Sequence, residues 1–267
     1  MKSDFGFDVQ NKPTVSLVLT INNRTPEVSK AVADSFRLPG NELDEAVIVL
    51  DRPTQEARSG ATEAWSDMPW PVKYVEIEGP QGWICPAKAW NAAYEAATSD
   101  LLYQISSEVV QDAGNVEKMR HLCADGNTCA FGACHNSEAI QMVTGAEPGL
   151  LASSKLPRPL GFIVCYPRDK MLSIGGNDLE FMKGLWYEDD DLFARLWQVG
   201  VDFCFDDAVH GVHLHHERPG LGTPEGQAKT QINAAYLQKK WGTLQPFSQM
   251  LRMEERKDGR TWWRHLT

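Results

Sequence analysis

The sequence has no basic surplus. Lysine and arginine total 26 against 36 aspartates and glutamates, a formal charge of −10. An acidic chain repels polyanions at long range, which disfavours general nucleic-acid coating or adhesion to anionic membrane. No apolar run approaches the roughly 18 residues of a membrane span. The opening stretch MKSDFGFDVQNK carries two acids and no apolar centre, so no secretory leader is expected. Paired cysteine motifs are missing as well. The six cysteines, at 85, 123, 129, 134, 165 and 204, follow no CxxC spacing, and reduced thiols in a cytoplasmic protein are expected. His121, Cys123, Cys129, Cys134 and His135 are zinc-ligand types, but their spacing fits no paired knuckle. Buried thiols are preferred over a structural zinc.

Several catalytic fingerprints are also absent. There is no GxxxxGK[ST] phosphate loop and no GxSxG elbow. Gly220-Leu221-Gly222 is not set between a strand and a helix as a dinucleotide fingerprint requires. What is present is ordinary globular composition, 42% hydrophobic and 23% charged over 267 residues. A chain of that length buries roughly 70–75% of its unfolded surface and needs no staples. One domain is expected over 1–267, with no linker long enough to divide it.

The first 110 residues alternate. Val15–Ile21 is short, β-branched and almost continuously apolar, as a strand covered on both faces must be. Thr25-Pro26-Glu27 then supplies a capping hydroxyl, a proline at the first helical position and an acid facing the helix dipole. A second buried strand spans 46–50 and ends at Asp51, and a helix-compatible stretch follows from about Thr54 to Trp65. Val72–Ile77 is a third strand, and Pro86 opens a helix whose Trp90, Tyr94 and Ala97 share a face. A fourth strand, Leu101–Ile105, ends in Ser106-Ser107-Glu108. This order predicts βαβ units, a mostly parallel sheet and an α/β fold. Ligands bind such sheets beyond the carboxyl ends of the strands, where Asn22, Asn23, Arg24, Asp51 and Ser106–Glu108 gather.

The second half is more mixed. A helix is expected near 114–124, a strand at 161–166, a turn at Ile174–Asp178 and a marked helix at 187–200. A strand at 209–216 would place His213 and His215 on one face. A Gly/Pro loop at 219–226 and an amphipathic helix at 231–241 complete the pattern. Glu188-Asp189-Asp190-Asp191 is its strongest constellation. Acids suit a helix N-terminus, but four adjacent carboxylates repel one another and exceed what capping needs. A carboxylate there is expected to be ionised near neutral pH, as a general base for a hydroxyl requires.

Taken together, these segments resemble the GT-A-fold glycosyltransferases of the large family-2-like inverting group, from about Val15 to Trp241. VSLVLTINNR resembles the opening strand and nucleotide loop, and AVIVLD the second strand with its uracil-contacting acid. PAKAWNAAYEAATSDLLYQISSE resembles the asparagine-bearing helix and metal-site strand. IGGNDLEF and WYEDDDLFARLWQVG resemble the acceptor-side segment and lie close to the GGEDDD stretch of galactosyltransferases. VHLHHE resembles the late metal-site histidine, and NAAYLQKKWG the closing helix.

The resemblance implies a GT-A, Rossmann-like sheet with a nucleotide-sugar half at about 15–110, an acceptor half at about 111–245 and a tail at 246–267. It implies glycosyl transfer from a nucleoside diphosphate sugar, probed first with UDP-sugars, to a hydroxyl acceptor with inversion. Asp189 would be the base. Thr20, Asn22, Arg24, Asp51, Lys88, Asn91, Ser106 and Ser107 would hold the donor. Glu108, His213 and His215 would hold Mn²⁺ or Mg²⁺, and between the histidines His213 fits the family spacing better. Gly175, Gly176, Trp186, Glu188 and Asp190 would face the acceptor.

The family's Asp-x-Asp is here Ser106-Ser107-Glu108, with one carboxylate, which would favour Mn²⁺. That departure keeps a metal-free enzyme or a non-catalytic nucleotide-sugar-binding relative open, beside a nucleotidyltransferase. The acceptor would be a glycan, a lipid-linked sugar or a small metabolite. A hydroxymethylated base in nucleic acid is a further option. It is motivated by five lysines and arginines and by Trp262-Trp263 in the tail from Arg252 to His265, which otherwise fits an amphipathic helix. Bland readings stay open too. Asp51 fits a helix cap, Lys88 and Asn91 fit solvated helix positions, His210, His213, His215 and His216 fit an exposed strand end, and Trp90 and Trp186 fit the core.

Overall fold

The computed structural model describes residues 12–79, 85–138, 147–216, 222–249, 253–257 and 259–265. Strands β1 (Val15–Ile21), β2 (Glu45–Asp51), β3 (Val72–Ile77) and β4 (Leu101–Ile105) alternate with helices α1 (Pro26–Phe36), α2 (Gln55–Ala64) and α3 (Ala87–Ala96). β1 and β2 are buried on both faces apart from half-buried Thr20, which accounts for their unbroken apolar runs. Thr25 Oγ1 accepts from the Val28 N–H to start α1, and Thr54 Oγ1 accepts from the Ala57 N–H to start α2. Gly60 lets the two helices touch, because a Cβ there would stand 2.8 Å from Pro26 Cα.

The rest of the chain adds β5 (Val109–Gln111), α4 (Asn115–Leu122), β6 (Thr128–Asn136), β7 (Leu150–Ala152), β8 (Ile163–Pro167) and α5 (Arg168–Ser173). These are followed by α6 (Glu188–Gln198), β9 (Asp202–His213), α7 (Pro224–Trp241), β10 (Met253–Lys257) and β11 (Arg260–Arg264). Among the described residues, one sheet runs in the order β10-β11-β9-β6-β8-β4-β1-β2-β3, with β5 on β9 and β7 on β6. β1 is parallel to β2 and β4, β8 is antiparallel to β4, and β6 is parallel to β9. The register Val18↔Gln104 and Ile21↔Leu50 brings the carboxyl ends of β1, β2 and β4 to one edge.

Three expectations are corrected. β9 ends at His213, so the alternation that would have set His215 beside it stops there. The tail is a hairpin rather than a helix. β11 pairs with β9, and Trp263, only 4% exposed, packs against Phe205 and Phe247. Trp263 is therefore core, while Trp262 carries Arg264 over its ring at 4.3 Å. Finally, α7 starts at Pro224, where Thr223 Oγ1 caps it by accepting from the Gly226 N–H.

Cys123, Cys129 and Cys134 are wholly buried, the last two within β6. Among the described residues no metal-ligand grouping includes them. The core beneath the second half is aromatic: Phe131 meets Phe205 at 4.8 Å and Phe193 at 5.0 Å, and Trp197 meets Phe203 at 5.5 Å. Among the described residues no helix is long and apolar enough to cross a membrane.

Candidate functional site

A cavity of about 740 Å³ opens at the carboxyl ends of β1, β2 and β4. Its wall includes Thr20, Asn22, Arg24, Asp51, Ser106, Ser107, Glu108, Glu188 and Asp189. Residues far apart in sequence meet there because parallel strands all end on the same edge. On the β1–β2 side, Asn22 Nδ2 donates to the Asp51 backbone carbonyl at 2.6 Å. The Asp51 carboxylate is buried and accepts from Arg52 Nε and Nη2, each at 2.7 Å. Asp51 is thus part of a buried ion pair rather than a cap of α2, a role that belongs to Thr54. Arg52 holds a left-handed φ of +50°, strain of the kind that concentrates at functional sites.

A second group centres on Glu108, which lies just beyond β4. Its Oε2 accepts from Arg24 Nε and Ser107 Oγ, both at 2.9 Å. Its Oε1 lies 3.2 Å from His213 Nε2 and 3.5 Å from His216 Nε2. Burial alone would push the carboxyl pKa up. The bonds to His213 and His216 and the Arg24 charge outweigh it and hold the pKa well below the usual range. Ligand atoms of Glu108, His213 and His216 all lie within 4.8 Å of one another. Two imidazoles and one carboxylate suit a transition-metal dication better than Mg²⁺. His215 is not in this group. Its side chain is 64% exposed and its Nδ1 lies 3.1 Å from Glu138. His216 stands in the place given to His215, because the strand ends at His213 and its face alternation no longer governs the imidazoles that follow.

A third group is the acidic start of α6. Asp189 Oδ2 accepts from the Gly161 N–H at 3.0 Å. Burial raises the Asp189 pKa, and the Gly161 bond opposes this. Glu188 is raised further, first by burial and then by the neighbouring Asp189 charge. Asp190 is pushed up to about 7 by burial and by Asp189. The helix terminus does not keep these acids in the ordinary carboxylate range, as the sequence had suggested. Desolvation against the cavity wall and mutual repulsion outweigh it.

Asp191 serves the framework. It is 1% exposed, and its oxygens accept from Arg195 Nε at 2.7 Å and Trp241 Nε1 at 2.9 Å. Arg195 also donates to the Ile174 and Gly176 carbonyls. This network fixes the turn at 174–177, and Asn91 fixes it from the other side. Asn91 Oδ1 accepts from the Asn177 N–H at 2.6 Å, and Asn91 Nδ2 donates to the Asn177 carbonyl at 2.9 Å. Gly176, at φ +68°, permits the approach, since a Cβ would collide with Asn91 Oδ1.

Asn91, Gly175, Gly176 and Asp190 are therefore not among the cavity-lining residues, and neither is Lys88, which is exposed on α3. Trp186 is 45% exposed rather than core, and it and Tyr187 both hold left-handed φ values, +65° and +69°. Buried Asn233 steadies that turn by donating to the Trp186 carbonyl at 2.8 Å. Trp90 packs as core, 7% exposed and stacked on Tyr94, and it also lines the cavity. Sequence reasoning missed Gln104, Gly161 and His216. Gln104 sits inside an apolar strand run, and that polar interruption was the available signal.

No family model matches the sequence, and no curated protein does. Solved structures do resemble it. GalNAc-T7, solved with UDP, GalNAc and Mn²⁺, superposes with a TM-score of 0.61 at 13% identity, over 88% of this chain and 50% of that one. The mannosyltransferase PcManGT from Pyrobaculum calidifontis, in complex with GDP-Man and Mn²⁺, gives 0.59 at 16% identity, over 88% of this chain and 67% of that one. The chain thus spans half the length of the first of these. At such identities the likeness establishes the fold, which is GT-A.

Proposed function

We propose that the chain is a GT-A glycosyltransferase that moves a sugar from a nucleoside diphosphate sugar to a hydroxyl acceptor with inversion. The observation that carries this reading is a single cavity joining three groups. These are the Asn22–Asp51 corner, the Glu108 centre, and the paired acids Glu188 and Asp189. Both similar structures hold a nucleotide or nucleotide sugar together with Mn²⁺, which supports the same placement here.

Asp189 accepts the proton of the acceptor hydroxyl as its oxygen attacks the anomeric carbon. Burial raises the pKa of both Glu188 and Asp189, and the Asp189 charge raises Glu188 further, which favours a proton taken up by the pair. Glu108, His213 and His216 would hold a dication of the Mn²⁺ type, for which their donor set is suitable. Such an ion, when bound, supplies positive charge opposite the departing diphosphate. Asp51 would accept from the uracil N3–H, with Asn22 keeping its backbone in place. The acceptor would be a glycan or a small hydroxyl compound, and burial of Trp263 weakens the case for a nucleic-acid base.

A second reading rests on Arg24. Its guanidinium already occupies Glu108 Oε2 and could meet the diphosphate directly, giving a metal-free enzyme. Incubation with UDP- and GDP-sugars, with Mn²⁺ or with EDTA, tests both readings by the nucleotide released. Release of nucleoside diphosphate supports transfer or hydrolysis of the sugar. Release of sugar 1-phosphate, the leaving group when the α-phosphorus is attacked, points to a nucleotidyltransferase, and no release under any condition to a binding protein. Activity surviving EDTA selects the Arg24 reading.

A further inference from the structure

Gln104 is 1% exposed, yet it lines the cavity. It stands in β4, whose other residues are Leu101, Leu102, Tyr103 and Ile105. A lone carboxamide in such a strand requires hydrogen-bond partners, since burying an amide without them is costly. Two are present on one side. The Tyr94 hydroxyl donates to Gln104 Oε1 at 2.8 Å, and the Tyr166 hydroxyl donates to the same oxygen. Asn177 Nδ2 in turn donates to the Tyr94 hydroxyl at 3.4 Å. With both phenol protons directed at it, the oxygen is the inward end of the amide, and the nitrogen is turned outward. Gln104 Nε2 then lies against Gly161, where a Cβ would collide with it. The same Cβ would stand 3.3 Å from Asp189 Oδ1. The amide donor and the carboxylate acceptor therefore flank one glycine at the cavity wall.

We propose that Gln104 is a specificity-determining residue whose two amide N–H groups donate to hydroxyl oxygens of the transferred sugar. This rests on the glycosyl-transfer reading. In that reading the sugar must lie between Asp189, which faces the attacking hydroxyl, and Glu108, near the diphosphate. Gln104 stands in β4, four positions before Glu108, which lies just beyond that strand, and it adjoins Asp189, so it faces that gap. The tyrosine bonds fix which end of the amide is offered. A site built this way selects an oxygen acceptor at one sugar carbon and discriminates against a deoxy analogue that leaves the N–H groups unpaired.

Calorimetry with Mn²⁺ and a panel of UDP, GDP, UDP-glucose, UDP-galactose, UDP-N-acetylglucosamine and GDP-mannose tests this. Gln104→Glu keeps an oxygen for both tyrosines and removes the donors, and Gln104→Met removes both functions. For the sugar nucleotide that the unaltered protein binds best, each variant should lose about tenfold or more in affinity, while the matching nucleoside diphosphate binds as before. Tyr94→Phe combined with Tyr166→Phe, which frees the amide to rotate, should give a smaller loss in the same direction. Equal losses for sugar nucleotide and nucleotide, or no loss, would overturn the role of Gln104 and leave the glycosyl-transfer reading standing. Failure of the unaltered protein to bind any of the six compounds would overturn both. If Gln104→Met does not fold, the comparison stands on Gln104→Glu and the tyrosine pair.

Discussion

The Gly161 backbone N–H donates to Asp189 Oδ2 at 3.0 Å, tying the approach to β8 to the first turn of α6. The bond fixes one carboxylate oxygen of a residue that lines the cavity. Asp189→Asn preserves it, because a carboxamide oxygen accepts from the same N–H, but removes proton acceptance. Turnover should fall by about 10²–10⁴-fold, with nucleotide affinity unchanged in calorimetry. Retention of most of the activity would remove Asp189 from the role of base.

The two histidines after β9 should behave differently. His216→Ala removes a group 3.5 Å from Glu108, whereas His215→Ala removes an exposed partner of Glu138. Mn²⁺-dependent tightening of nucleotide binding should vanish in His216→Ala, His213→Ala and Glu108→Gln, and persist in His215→Ala. Persistence in all four variants would place the ion away from Glu108, and no Mn²⁺ dependence in the unaltered protein would leave Arg24 as the cation at the diphosphate.

Asp51 should set the base preference. In the unaltered protein UDP should bind more tightly than GDP, and Asp51→Ala should weaken UDP by about 1–3 kcal/mol, the scale of a charge-assisted hydrogen bond. The same change leaves Arg52 without its carboxylate in a buried position, so a lower thermal midpoint should accompany it. Equal affinities for UDP and GDP would defeat the assignment.

A distant acid governs acid stability. Glu45 is 5% exposed at the start of β2, where it accepts from Ser16 Oγ at 2.6 Å and Thr98 Oγ1 at 2.8 Å and faces Lys73 Nζ at 2.6 Å. Burial alone would raise its pKa, but Lys73, Ser16 and Thr98 together lower it from 4.5 to about 2. A folded pKa below the unfolded one adds stability that is complete above the unfolded value and lost as pH falls toward the folded value. Glu45→Gln should therefore cost about 2 kcal/mol at pH 7, and the difference should shrink between about pH 4.5 and 2. Denaturant unfolding across that range measures it, and a pH-independent difference would contradict the ion-pair account.

What was legible in the sequence followed local signals. Thr25-Pro26 and Thr54 announced their helices, and the apolar runs of β1, β2 and β4 announced a sheet covered on both faces. The acids at 188–191 were visible as more charge than a cap requires. Other features depended on distant partners. Thr128–Asn136 carries two cysteines and a histidine and resembles a ligand cluster, yet it is a central strand because β8 and β9 cover it. His213 and His216 meet at Glu108 because β9 stops at His213, which releases His216 from the strand's alternation. Asn91 and Gly176 belong to the framework, and only the two hydrogen bonds to Asn177 show that.

The uninterrupted pairing of β4 with β8 and of β8 with β6 has a mechanical consequence. Among the described residues, the first four strands and the later ones share one hydrogen-bonded plate. Rotating one portion against the other would break the ladder from Leu101↔Pro167 to Ile105↔Ile163. Gln104 lies in that plate between Val18 of β1 and Val164 of β8, and its backbone cannot shift without breaking both ladders.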